Sequence, residues 1–273
     1  SIGGHNTYLN SLDVRTVGIG GGSMVQMEGG RAVDVGPRSS HIAGLEYEVY
    51  ADEAAIVSPV LQTVRPFDTD PEYAYVACAN GKCFALTLSG AANICGYIEQ
   101  GDYAFGNIAS ATKAWQPLAE AMGMTVEQTA RAVLDMSAAK NLKVVESLIQ
   151  DYGLDKAAVI LVGGGGGASA VIGHAAEVFG VNGRIAKNAP VISPIGVAVA
   201  RVRDMVERTI TNPSEEDILA IRREAIRMAV QSGADPESVE VRIEIDAQRH
   251  KVRAIAIGTT ELRTKDLGGK PKD

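Results

Sequence analysis

Two glycine clusters hold most of the chemistry this sequence can offer. In AAVILVGGGGGASAVIGHAAEVF, residues 157–179, an uncharged β-branched run stops at Gly163, Gly164, Gly165, Gly166 and Gly167, and a small-residue helix follows at once. Glycine has the most backbone freedom to lose and is costly inside a regular element. Five in a row between a strand and a helix therefore mark a place where something approaches the main chain. Unpaired N–H groups and the positive end of the helix suit an anion or a nucleotide there. The competing reading is a packing turn that only lets the helix sit close. The second cluster, Gly20, Gly21, Gly22 and Ser23, follows VRTVGI. It reads as a loop lining a cleft beside phosphates or substrate, or as a sharp turn into the next hairpin.

Single residues add candidates. Asp13, just ahead of VRTVGI, could orient water or Mg²⁺, with loop capping as its simpler use. His41, in GPRSSHIAG, could serve as acid, base or metal ligand. His174 reads as a packed helical residue and His250 as solvated surface, while His5 and Asn6 are assigned no role. Cys78, Cys83 and Cys95 are odd in number without metal-like spacing, and read as reduced apolar residues of a cytoplasmic protein.

These residues must be positioned by elements that the pattern also predicts. A strand is expected over residues 14–19, then a hairpin turning at Gly29-Gly30. Residues 46–98 are strand-rich, with EYAYVACANGKCFALTL as their clearest hairpin. A helix follows over about 109–122, and Thr125 caps the next, with Gln128 at the capping-box position; it runs to Gly153. After the strand–glycine–helix unit comes a short strand at about 183–187. Pro190 and Pro194 hold off a further helix until Ser193, read as its start. Asn212-Pro213 breaks the chain. Ser214 then caps EEDILAIRREAIRMAVQ, a solvated face or a docking surface, and VEVRIEID and KVRAIAIG alternate as an amphipathic hairpin around Ala247–His250. The tail after Asp266 reads as mobile.

Composition bounds the function. The 273 residues carry a net charge of −7 with mixed signs and no basic stripe, which argues against nucleic acid. Thirty glycines against one Trp and four Phe suit an α/β protein with close backbone contacts. Residues 157–176 lack charge over a membrane-span length, but the glycine break rules out a lipid-exposed helix, so no membrane partner is expected. The chain opens at Ser1, not Met, and reads as a piece of something longer. GxxxxGK(S/T) does not occur. Gly163, Gly165 and Ala168 satisfy the loose G-x-G-x-x-(G/A) pattern, but Lys187 stands where that pattern wants a carboxylate.

Taken together, the segments resemble the hydantoinase A/oxoprolinase family of the actin-like, heat-shock-chaperone-like and sugar-kinase ATPase superfamily. LDVRTVGIGGGSMV is similar to that family's D-(I/V)-x-T-(I/V)-G-x-G-G-G-S stretch, VILVGGGGGASAVIGHAAEVFGV to its second glycine loop, and NAPVISPIGVAVA to its closing segment. SGAANICGYI is a fainter likeness of T-D-A-N-x-x-x-G, with Leu88-Ser89 where Thr-Asp is usual. The likeness spans roughly residues 3–205. It implies an α/β fold, an actin-like ATPase (ribonuclease H-like) lobe over residues 1–211 with a strand-rich insertion; the residue pattern itself adds a helix–hairpin α+β module over 212–266 and a flexible tail over 267–273. It implies ATP contacted by Gly163–Gly167, with Gly20–Ser23 beside the phosphates or substrate, and opening of a cyclic amide such as 5-oxoproline or a hydantoin. Two departures limit the carry-over. The acidic phosphate loop of the superfamily is absent, so the Mg²⁺-bound phosphate site is expected from an N-terminal lobe or a separate subunit, as in a hetero-oligomer. After GPRSSHIAG many relatives continue A-D-P-G-P-x-C-Y-G, whereas this chain reads LEYEVYADEA. The alternatives are a reactivating ATPase for a cobalamin enzyme and a subunit of an ATP-dependent carboxylase.

Overall fold

The structure, a computed structural model, describes residues 12–260. Contacts divide the chain into two compact units, Ser1–Ile192 and Ser193–Asp273. His5, Asn6 and the tail after Asp266 lie outside the described residues.

The large unit opens on β1 (Ser23–Glu28) and β2 (Arg31–Ser39), an antiparallel pair turning at Gly29 and Gly30, whose φ angles of 57° and 78° suit glycine. β3 (Glu46–Tyr47), β4 (Val60–Val64), β5 (Glu72–Ala77) and β6 (Cys83–Ala85) complete a six-stranded sheet, β2-β1-β5-β6-β3 with β4 also on β5. Helices α1 (Leu88–Ile94), α2 (Ile108–Met122) and α3 (Val126–Tyr152) follow. Val25, Val35, Val76, Phe84 and Leu86 from the sheet region meet Leu88, Trp115, Leu118 and Leu134 from the helices in one buried core. The start of α3 is the capping box expected at Thr125 and Gln128, and Gly153 ends the helix in the left-handed region.

β7 (Ile160–Gly163), α4 (Ser169–Phe179) and β8 (Asn182–Ile185) form a parallel strand–helix–strand unit. Leu161 turns toward α3 and α4, where Ala138, Leu142, Ala175 and Phe179 are buried. α5 (Ile192–Ala198) spans the unit boundary.

In the small unit, β9 (Arg201–Thr209), β10 (Glu240–Asp246) and β11 (Lys251–Thr259) form an antiparallel sheet, β10-β11-β9. α6 (Glu215–Gln231), capped by Ser214, packs Ile221, Ala225 and Ala229 on Val206, Val252, Ala254 and Ala256.

Three local expectations change. Residues 14–19 pair with no strand among the described residues. The helix expected after Ser193 starts at Ile192 and is over by Ala198, and RVRDMVERT continues as a strand. Val202 and Val206 alternate with charged neighbours, and registry with β11 buries Val206, so tertiary pairing sets this segment. The compact boundary accordingly falls at Ile192/Ser193 rather than at Asn212-Pro213, because β9 belongs to the small sheet.

Candidate functional site

The two glycine clusters meet backbone to backbone. A Cβ on Gly21 would lie 2.6 Å from Ser89 Oγ and 3.2 Å from Gly167 Cα; one on Gly167 would lie 2.9 Å from the Gly21 nitrogen. No side chain fits between these loops, whose backbones approach each other directly. The first loop is held on several sides. The Gly20 amide donates to Ser23 Oγ (3.0 Å), the Ser89 amide to the Gly21 carbonyl (2.8 Å) and the Ser40 amide to the Gly22 carbonyl (3.0 Å). A Cβ on Gly22 would overlap the Tyr47 hydroxyl.

The second loop leaves β7 and enters α4. Gly165 has φ +101°, a value costly for any residue with a Cβ, and its amide donates to the Ala189 carbonyl (2.8 Å). A Cβ on Gly166 would press on the Tyr103 ring at 2.8 Å. Ala168 caps α4 with no side-chain acceptor. Among the described residues the amides of Gly166, Gly167 and Ser169 donate to no protein acceptor. These are the unpaired donors of a helix start.

Opposite these amides stands Asp102, which accepts from Ser169 Oγ (2.6 Å) and from the Ala104 amide (2.8 Å). Buried Asn93 positions this loop by donating to the Ser89 and Ala104 carbonyls (2.9 and 3.1 Å) and accepting from the Gly106 amide (3.0 Å). One polar residue thus ties α1, which carries Ser89, to the Asp102 segment. A cavity of about 230 Å³ opens at Gly165, Gly166, Tyr103 and Asn188. A larger one, about 570 Å³, runs along Tyr97, Ile172 and Gly183. Both are lined by Asp102 and Ser169.

Asp13 and His41 are placed differently. Arg15 Nη2 donates to Asp13 Oδ2 at 2.9 Å and to Asp151 Oδ2 at 2.6 Å, and the Tyr152 hydroxyl donates to Asp13 at 3.1 Å. The Arg15 guanidinium holds the Asp13 carboxyl below its ordinary pKa. Its partners clamp the entering chain to the end of α3, and none belongs to a glycine loop. His41 is exposed, with its ring 5.4 Å from that of Tyr47, the residue beneath Gly22. His41 therefore stands one aromatic ring away from the first loop. His174 is buried between Asp135 Oδ1 (2.6 Å) and the Tyr97 hydroxyl (2.9 Å), a helix-packing position. Among the described residues no three metal-ligating side chains group together.

Glu48 is the residue that sequence reasoning passed over. It lies in LEYEVY, where this chain leaves the common family pattern, and is fully buried. Its carboxyl accepts from Trp115 Nε1 (2.8 Å), the Thr87 amide (3.0 Å) and Thr87 Oγ1 (3.1 Å). Burial pushes its pKa up to about 7 against these bonds. A Cβ on Gly90 would overlap Glu48 Oε1, so the carboxyl fixes the start of α1, the helix that presents Ser89 to Gly21.

A mixed α/β unit with paired glycine loops at a strand end defines a fold class rather than one chemistry. The chain matches the hydantoinase/oxoprolinase family over residues 1–206, and it belongs to that family. Its fold is also similar to the nucleotide-free structure of an acetone carboxylase, described with the mechanism of ATP-dependent acetone carboxylation. The TM-score is 0.56 at 13% identity, covering 94% of this chain and 42% of that one. This chain therefore spans less than half the length of that carboxylase chain. No helix among the described residues is long and apolar enough to cross a membrane.

Proposed function

We propose that this chain is the adenosine-binding, actin-like lobe of an ATP-dependent enzyme that opens a small cyclic amide of the 5-oxoproline or hydantoin kind. The observation that carries the reading is the contact of Gly21 with Gly167 beside the unpaired amides of Gly166, Gly167 and Ser169.

The residues present fit the nucleoside end of ATP better than its phosphates. Asp102, backed by Ser169, favours ligand hydroxyl or amine donors and repels an anion, while Tyr103 offers an aromatic face at the same cavity. Gly165 and Gly166 let a ligand reach the main chain. The Mg²⁺-bound phosphate site is assigned to polypeptide outside this chain, an N-terminal lobe or separate subunit. When bound, ATP would supply a phosphoryl group to the amide oxygen, making the ring carbon open to attack by water so that the ring C–N bond, with its nitrogen as the leaving group, can break. Gly20–Ser23, stiffened by Ser89 and Ser40, shapes one wall of the cleft, and His41 lies within reach of that wall through Tyr47.

A second reading, a subunit of an ATP-dependent carboxylase, is favoured by the fold likeness to acetone carboxylase over 94% of this chain. One assay separates the two. ATP turnover by the full-length protein or assembly containing this chain is measured with 5-oxoproline and hydantoin, and then with acetone plus bicarbonate. Stimulation by the cyclic amides is the result expected. Stimulation only by the ketone with bicarbonate selects the carboxylase, and no response to either overturns both.

A further inference from the structure

Buried His174 sits in a polar cluster whose hydrogen bonds fix its proton count. Its Nε2 faces Asp135 Oδ1 of α3 at 2.6 Å, and its Nδ1 faces the Tyr97 hydroxyl at 2.9 Å. That hydroxyl has two further partners, Glu177 Oε2 of α4 at 2.5 Å and Arg131 Nη1 of α3 at 3.1 Å. The Tyr97 ring also lies edge-on to the imidazole and against Gly173, where a Cβ would come within 3.0 Å of it.

A carboxylate only accepts hydrogen bonds and a guanidinium only donates them. Asp135 therefore needs a proton on Nε2. The Tyr97 phenol has one proton to give, and the contact with Glu177 has no other source for one. Burial, then this contact, holds the phenol above its ordinary pKa, so Tyr97 keeps that proton. Its oxygen is left as the acceptor toward both Arg131 and His174, and Nδ1 must carry a proton too. A proton on Glu177 instead would neutralise an exposed carboxyl, the less favourable place for it. As an imidazolium, His174 joins Arg131 in balancing Asp135 and Glu177. The remaining neighbours add no charge to this balance. Cys95 is pushed up to about 11 by burial and stays a neutral thiol, and Glu127 reaches it only through a backbone carbonyl. Helix α1 and strand β7 carry no ionisable side chain. Arg184 of β8 alternates away from α4, which Gly183 faces.

We propose that His174 is a proton-operated clasp on the cavity lined by Tyr97, Asp102 and Ser169. With both ring protons in place, Tyr97 ties α4 to α3 and anchors the segment that leads to Asp102. As pH rises, the Nδ1 proton leaves to water. The Tyr97 hydroxyl can then donate to Nδ1 or to Glu177, but not to both. The phenol and the carboxylate part, and this wall of the cavity loosens. The clasp does not rest on the nucleotide reading, because every group in it belongs to the fold.

The test is nitrogen-15 NMR of ring-labelled histidine in the 273-residue chain without nucleotide, with His174→Gln assigning the signal. At pH 7 both His174 nitrogens should carry protons. In Glu177→Gln the new amide can donate to Tyr97 and free the phenol proton for Nδ1, so the second His174 proton should be bound roughly tenfold more weakly. Amide exchange supplies the second readout, at Asp102, Ala104 and Phe105, whose N–H groups bond within this segment. Above the pH at which the proton leaves, these amides should exchange at least tenfold faster in the wild type than in Glu177→Gln; below it the two should match. A single proton on His174 at pH 7, or a second one held as tightly in Glu177→Gln, overturns the proton count. Equal exchange in both chains at every pH overturns the clasp.

Discussion

The large unit contains two sheets finished to different degrees. The six-stranded sheet shares a buried core with α1, α2 and α3, and there an ionisable side chain, Glu48, is sealed inside with its hydrogen bonds satisfied. The β7–β8 ribbon is covered on one face and leaves Ile160 and Val162 half exposed on the other. The glycine loops lie where these regions meet, with Ser89 on the closed side and Gly167 on the open side. The contrast separates a region whose packing should set stability from one that leaves apolar surface open.

Changes to the closed region should have the largest effect. Glu48→Ala strands the Trp115 and Thr87 N–H groups in the interior and leaves a cavity. Urea unfolding should report a loss of roughly 3–5 kcal/mol, and a loss below about 1 kcal/mol would mean that the region is not closed. Glu48 also gives stability a pH dependence. Its folded pKa, about 7, lies above the ordinary carboxylate value of 4.5, so the folded state holds the extra proton. The resulting stabilisation is full below about pH 4.5 and is lost as pH rises through 7, by at most about 3 kcal/mol. Glu48→Gln, which keeps an acceptor for Trp115, should flatten that slope; an unchanged slope would assign it to other groups.

A matched pair of substitutions sharpens the contrast directly. Val76→Ala, at a fully buried position of β5, should cost about 2 kcal/mol, whereas Val162→Ala, at a half-exposed position of β7, should cost under about 1 kcal/mol in the chain alone. Equal costs would break the distinction between the two sheets.

Much of this division could be read from the sequence wherever the signal was local. Gly29-Gly30 specifies its hairpin, Thr125 and Gln128 their capping box, and Ser214 its helix start, because each acts within a few residues. The glycine run marked the β7–α4 turn for the same reason. Long-range pairing was not legible. Arg201–Thr209 follows a proline-delayed helix and becomes a strand only through its ladder with β11. Residues 14–19 have strand composition but no partner strand among the described residues. The contact of Gly21 with Gly167 joins segments far apart in the chain, so the sequence supplied both loops but not their meeting. Asp102 and Asn93 gained their places from that meeting. Glu48 left no signal at all, since a glutamate alternating with apolar residues in LEYEVY reads as the solvent side of a strand.

Calorimetric titration of ATP tests the central claim most directly, using the full-length protein or assembly carrying wild-type sequence, Gly167→Ala or Asp13→Asn. The account predicts that the wild type binds. Gly167→Ala, whose Cβ would press on the Gly21 backbone, should bind at least tenfold more weakly. Asp13→Asn, which changes only the clamp on α3, should bind within about twofold of wild type. No ATP binding by the wild type, or equal binding by Gly167→Ala, would contradict a nucleotide site built from the two glycine loops.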